Sequence, residues 1–133
     1  MKHESIVVVY DSCQAIAEDI ADKLGAETIS VQSLDTRHIG NSQSFVLLPE
    51  FQADSQLTSH WQYASQTFRS VSLSGKTFAI WVAFGKVQED ELAVEGFCEG
   101  LRKCGAHIIG NQLYKDAPSC HIDDWVCLIS PNL

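Results

Sequence analysis

Twelve residues near the start of the chain constrain its fold more than any others: Ile6-Val7-Val8-Val9-Tyr10-Asp11-Ser12-Cys13-Gln14-Ala15-Ile16-Ala17. They open with a β-branched apolar run without polar alternation, the pattern of a strand covered on both faces. After five intervening residues the period changes. Ile16, Ile20 and Leu24 recur every fourth position with Ala17 and Ala21 beside them, while Glu18, Asp19, Asp22 and Lys23 fall on the opposite side. A covered strand that passes at once into an amphipathic helix belongs to an open α/β sheet. In such sheets, ligands bind at the carboxyl ends of the strands, beside helix N-termini.

The remaining chain repeats this alternation. The first strand is expected over residues 5–10, and the helix that follows is stopped by Gly25. A second strand is expected over residues 26–31, loop over 33–42, and a third strand over 44–48, ended by Pro49. After a polar stretch over residues 50–56, Leu57, Trp61, Ala64, Phe68 and Val71 mark a helix face, and Ser74-Gly75-Lys76 marks a turn. Residues 77–84 are the most apolar run and are expected to form a central fourth strand. From Glu89 to Cys104 a helix carries Val94, Phe97, Leu101 and Cys104 on its apolar side, and Gly105 stops it. His107-Ile108-Ile109 reads as a short fifth strand and residues 114–118 as loop. Ile122, Trp125, Val126 and Ile129 mark a short final helix with Ser119 as its N-cap.

A chain of 133 residues is expected to form one domain, residues 1–133. Strands alternating with helices imply right-handed crossovers and a parallel sheet with helices on both faces. Five strands favour the order 2-1-3-4-5, which brings residues 11–15, 49–57 and 85–89 around one crevice.

Charge and cysteine content narrow the function classes. The formal net charge is −8 with nine Lys+Arg, which disfavours a nucleic-acid partner and suits a basic protein or a small ligand. Solubility alone also accounts for this acidity. No apolar run is long enough to cross a bilayer, and Met1-Lys2-His3-Glu4 does not read as a signal peptide. Five cysteines (Cys13, Cys98, Cys104, Cys120 and Cys127) are an odd number without a Cys-x-x-Cys pair, against a disulfide framework or a structural zinc site. A cytoplasmic protein with reduced thiols is expected.

Three stretches resemble the flavodoxin family of FMN-carrying electron-transfer proteins. Asp54-Ser55-Gln56-Leu57-Thr58-Ser59-His60-Trp61 is similar to that family's Asp-Gly-Glu-Leu-x-x-x-Trp entry to the third helix. Ser72-Leu73-Ser74-Gly75-Lys76 is similar to its Leu-x-Gly-Lys lead into the fourth strand. Leu101-Arg102-Lys103-Cys104-Gly105-Ala106, continuing to Gly110, is similar to its Leu-x-x-x-Gly-Ala-x-x-x-Gly passage into the fifth. The resemblance implies a flavodoxin-like three-layer sandwich with FMN as the cofactor, if there is one. It places Ser12, Cys13, Gln14, Glu50, Phe51, Gln52, Gly85 and Lys86 in the cofactor loops.

All three loops depart from the family's pattern. Its phosphate loop reads Ser/Thr-x-Thr-Gly-x-Thr. Here Asp11-Ser12-Cys13-Gln14-Ala15 is roughly four residues short of a loop able to wrap an anion, lacks Gly and adds a carboxylate. Gln52 stands where a stacking Trp is usual, with Phe51 beside it. The Gly-x-Gly-Asp-x-x-x-Tyr pattern is replaced by Phe84-Gly85-Lys86-Val87-Gln88, with no aromatic until Phe97. Each lost stacking contact is worth about 0.5–1.5 kcal/mol beyond its area.

Other constellations carry less. Cys13 stands near a helix start, but a phosphatase-type Cys-x5-Arg loop would need Arg at position 19, which is Asp19. Asp11 and Glu50 lie near the acidic positions of receiver domains, yet no Lys ends the fifth strand. Cys120, His121, Asp123 and Asp124 match no zinc spacing, and a capped, acidic helix start accounts for them better. His60 reads as a surface or partly packed residue. Glu89, Asp90, Glu91, Glu95 and Glu99 form a negative strip, either a solvated helix face or a docking surface for a basic partner.

The preferred reading is a flavodoxin relative that has lost its cofactor loops and serves as a partner-binding or assembly module without its own substrate. Self-association into a dimer would use apolar surface beside the short last helix. The alternative is an FMN electron carrier with a reduced site built on Ser12, Phe51 and the helix N-terminus.

Overall fold

A computed structural model describes residues 6–50, 56–82, 87–113 and 119–133. The strands are β1 (Ile6–Tyr10), β2 (Glu27–Ser30), β3 (Ser44–Leu47), β4 (Thr77–Val82) and β5 (His107–Leu113). The helices are α1 (Gln14–Leu24), α2 (Thr36–Asn41), α3 (Ser59–Arg69), α4 (Val87–Arg102) and α5 (Ser119–Ile129). All strand pairs are parallel and the sheet order is β2-β1-β3-β4-β5, as the alternation predicts.

The β-branched run of β1 serves both faces because successive side chains alternate. Val7 and Val9 join Phe45, Leu47, Phe78 and Ile80 beneath α3 and α4, in a core that includes Trp61, Phe68 and Phe97. Ile6 and Val8 join Val46, Leu48, Ala79 and Trp81 beneath α1 and α5. In the first core, Phe45 and Phe78 stack at 4.8 Å, with Phe68 edge-on at 5.8 and 5.4 Å. In the second, the Trp81 and Trp125 rings lie 4.9 Å apart.

The amino ends of the strands are tied by the segments that carry two of the family resemblances. Leu73 N–H donates to the Cys104 carbonyl at 2.8 Å, His107 N–H to the Lys76 carbonyl at 3.0 Å, and Thr77 N–H to the Gln43 carbonyl at 3.1 Å. The Lys76 ammonium donates to the Ser42 carbonyl at 2.7 Å, and the Gln43 side-chain amide donates to the Gly75 carbonyl. Gly105 has φ +104°, and a Cβ there would lie 2.9 Å from the Ser74 nitrogen. A side chain does not fit where these two turns meet.

Several element bounds differ from the sequence expectation. Residues 33–42 are not simply loop: a 3-10 turn spans Val31–Ser33 and α2 spans Thr36–Asn41. Asp35 accepts from the N–H groups of Arg37 and His38, both at 3.1 Å, while its own N–H donates to His38 Nδ1 at 3.3 Å. This reciprocal cap stabilises a helix too short to show a clear apolar period. β5 is longer than three residues because it continues along β4 past a register shift between Ala79 and Trp81. α4 starts at Val87, earlier than Glu89. α5 starts at Ser119, which is therefore within the helix instead of at its N-cap.

Candidate functional site

The candidate site lies at the carboxyl ends of β1 and β3, the two strands flanking the position where the sheet order reverses. Val9 pairs with Leu47, and Leu48 N–H donates to the Val9 carbonyl at 3.0 Å, so the two strands leave the sheet side by side. Only Asp11, Ser12 and Cys13 separate β1 from α1. Glu50, two residues beyond Leu48, accepts the Thr58 N–H at its main-chain carbonyl at 3.0 Å, which ties it to the start of α3.

This arrangement turns the Glu50 carboxylate onto the β1–α1 loop. Ser12 N–H donates to Glu50 Oε2 at 2.8 Å, and the Ser12 hydroxyl lies 2.8 Å from both carboxylate oxygens. A charged acceptor on a backbone N–H and a hydroxyl is among the stronger neutral-to-ionic hydrogen-bond arrangements. Beside it, Asp11 Oδ2 lies 3.0 Å from His60 Nδ1. An ionised carboxylate can only accept, so Nδ1 carries the shared proton. Asp11 is 17% exposed at its side chain and His60 48%, so the acid lies beneath the imidazole.

Cys13 occupies the N-cap of α1 without a side-chain cap bond, and its carbonyl accepts from Ala17 N–H at 3.0 Å. Burial, then the Glu50 charge and its hydrogen bond, push the thiol up to about 11. The thiol is thus held protonated, the reverse of an activated nucleophile at a helix start. Gln14 turns along its own helix, its amide donating to Glu18 Oε2 at 2.9 Å.

Of the sequence-predicted positions, Ser12, Cys13 and Glu50 are brought together, whereas Gln14 faces elsewhere. Phe51, Gln52, Gly85 and Lys86 lie outside the described residues. Sequence reasoning missed the pairing of Asp11 with His60; the two are 49 positions apart and only the sheet order makes them neighbours. Of the acidic strip, Glu95 and Glu99 are exposed and both bond to Arg102, at 3.0 and 3.3 Å. Among the described residues no group of three or more His, Cys, Asp or Glu is placed to hold a metal ion, and no helix is long and apolar enough to cross a membrane.

The first loop is acidic, and its Ser12 donors are taken up within the chain. Its hydroxyl and the Ser12 N–H are engaged by Glu50, and a second carboxylate, Asp11, stands beside them.

No protein-family model matches the chain, and neither does any curated protein sequence. Solved structures do match. An oxidised flavodoxin 2 from Bacillus cereus superposes with a TM-score of 0.81 at 16% identity, covering 97% of this chain and 99% of that one. The flavodoxin of Streptococcus pneumonia TIGR4 gives 0.75 at 17%, covering 96% and 97%. The Fusobacterium nucleatum flavodoxin bound to flavin mononucleotide gives 0.76 at 13%, covering 96% and 98%. Strand order, helix placement and these superpositions agree: the chain has the flavodoxin-like fold.

Proposed function

We propose that this protein is a flavodoxin-fold binding module whose phosphate cradle is filled by its own Glu50, and that it recognises a protein partner in place of carrying FMN. The observation that carries this reading is the Glu50 carboxylate on the Ser12 N–H and hydroxyl at 2.8 Å. An internal carboxylate acts at a high effective concentration that dilution does not change, so an external phosphate competes against an already oriented rival. Partner recognition suits the net charge of −8. Self-association through α5, where Leu128 is 61% exposed, belongs to the same reading.

The experiment is a titration of FMN with the purified chain, following flavin fluorescence. The expected result is colourless protein and no quenching. Glu50→Gln, which weakens the internal acceptor, is expected to bind FMN better than the parent. A yellow preparation, or stoichiometric quenching by the unaltered chain, overturns the proposal. That result would favour the second reading, an FMN electron carrier with a reduced site, which draws its support from the FMN-bound Fusobacterium nucleatum flavodoxin on the same fold. A monomer at high concentration on a sizing column would remove the self-association part alone.

A further inference from the structure

Among the described residues, two large apolar side chains are strongly exposed, Tyr63 at 69% and Leu128 at 61%. Tyr63 lines a groove of about 260 Å³ together with Val31, Gln32, Ser59 and His60, where the 3-10 turn after β2 meets α3. Pockets that enclose whole small molecules run from about 300 to 1,000 Å³, so this groove suits a single long side chain better than a nucleotide.

We propose that the groove receives an arginine side chain from a protein partner. The inference deepens the binding-module reading and rests on it. Three features of the groove select a planar cation. The Tyr63 ring offers a π face, on which a guanidinium stacks. The exposed Gln32 amide in the groove lining supplies an acceptor oxygen for the guanidinium N–H groups. The field behind the groove is negative, with the Asp11 carboxylate under His60 and Glu50 on the neighbouring loop, in a chain of net charge −8. An acidic or phosphorylated group meets repulsion there. An ammonium satisfies the charge but lacks the flat face and the forked donors that a guanidinium brings.

The test uses the full chain at low salt and follows backbone amides by NMR while adding the blocked tripeptide Ac-Gly-Arg-Gly-NH2, with Ac-Gly-Lys-Gly-NH2 as the comparison. The expected result is saturable shifts centred on Gln32, Ser59, His60 and Tyr63, with the lysine peptide several-fold weaker. Tyr63→Ala is expected to weaken the arginine peptide about tenfold; Tyr63 is exposed, so its replacement leaves the core intact. Equal response to the two peptides, shifts spread over the acidic helix faces without saturation, or unchanged affinity in Tyr63→Ala overturns the proposal. FMN added to the same samples separates the two claims. Uptake of FMN refutes the binding-module reading whatever the peptide does. Refusal of FMN together with no peptide response refutes the arginine site alone.

Discussion

The two ends of the sheet treat the same problem, how to leave one strand and enter the next element, in opposite ways. At the amino ends, Leu73, Gly75, Lys76 and Gly105 stand where the flavodoxin resemblance places them, and each serves the architecture. Gly75 and Gly105 take positive φ, and Leu73 and Lys76 bond across to neighbouring segments. At the carboxyl ends the loop after β1 is short, and its donors are turned inward to Glu50. The turns that tie the strands together and the Ser12–Glu50 contact thus lie at opposite edges of the sheet. One edge can change its chemistry without disturbing the packing that the other secures.

Gly105→Ala is the largest way to break this comparison. The new Cβ would lie 2.9 Å from the Ser74 nitrogen, on a backbone at φ +104°. A loss of about 2–3 kcal/mol in urea unfolding is expected. Gly75→Ala sharpens the point. Its φ is +82°, but nothing lies within 4 Å of the added methyl, so about 1 kcal/mol is expected. Equal losses at the two positions would show that backbone strain, not the close approach of the two turns, sets the requirement for glycine at 105.

At the other edge, Glu50→Ala leaves the Ser12 N–H and hydroxyl without their acceptor. Water can reach this partly exposed site, so about 1–2 kcal/mol is expected, with faster hydrogen exchange confined to the β1–α1 loop and the start of α3. A variant as stable as the parent would mean that the contact is a surface ion–dipole pairing without structural weight. In that case the loop would be free to take another anion.

How much of this was legible follows the same division. The covered runs Ile6–Tyr10 and Thr77–Val82, and the four-residue period of Ile16, Ile20 and Leu24, are local signals, and they led to the observed strand order. α2 was not legible as a helix because its six residues bury only Ile39. Its cue was the pairing of Asp35 with His38, a capping box with His in place of the usual Glu or Gln. The shortness of the first loop could be read directly. That Glu50 would occupy it could not, since Ser12 and Glu50 are 38 positions apart and meet only because β1 and β3 are adjacent.

Cys13 gives the smallest and most specific test of the inward-turned loop. Its thiol is pushed up to about 11 by burial first and by Glu50 second, whereas Cys98, also at about 11, owes its shift chiefly to burial within α4. Glu50→Gln removes one cause at Cys13 and none of those acting on Cys98. The alkylation profile of Cys13 with iodoacetamide, read by mass spectrometry, is therefore expected to move to lower pH in the variant while that of Cys98 stays in place. Stability follows with a fixed sign. Between the ordinary thiol value near 9.0 and about 11, the unfolded chain releases the Cys13 proton while the folded chain retains it, so stability falls as pH rises through that window. Glu50→Gln narrows the window from its upper end and reduces this alkaline loss. An unchanged Cys13 profile would mean that burial alone sets the thiol, and that the Glu50 carboxylate exerts no field on the loop it occupies.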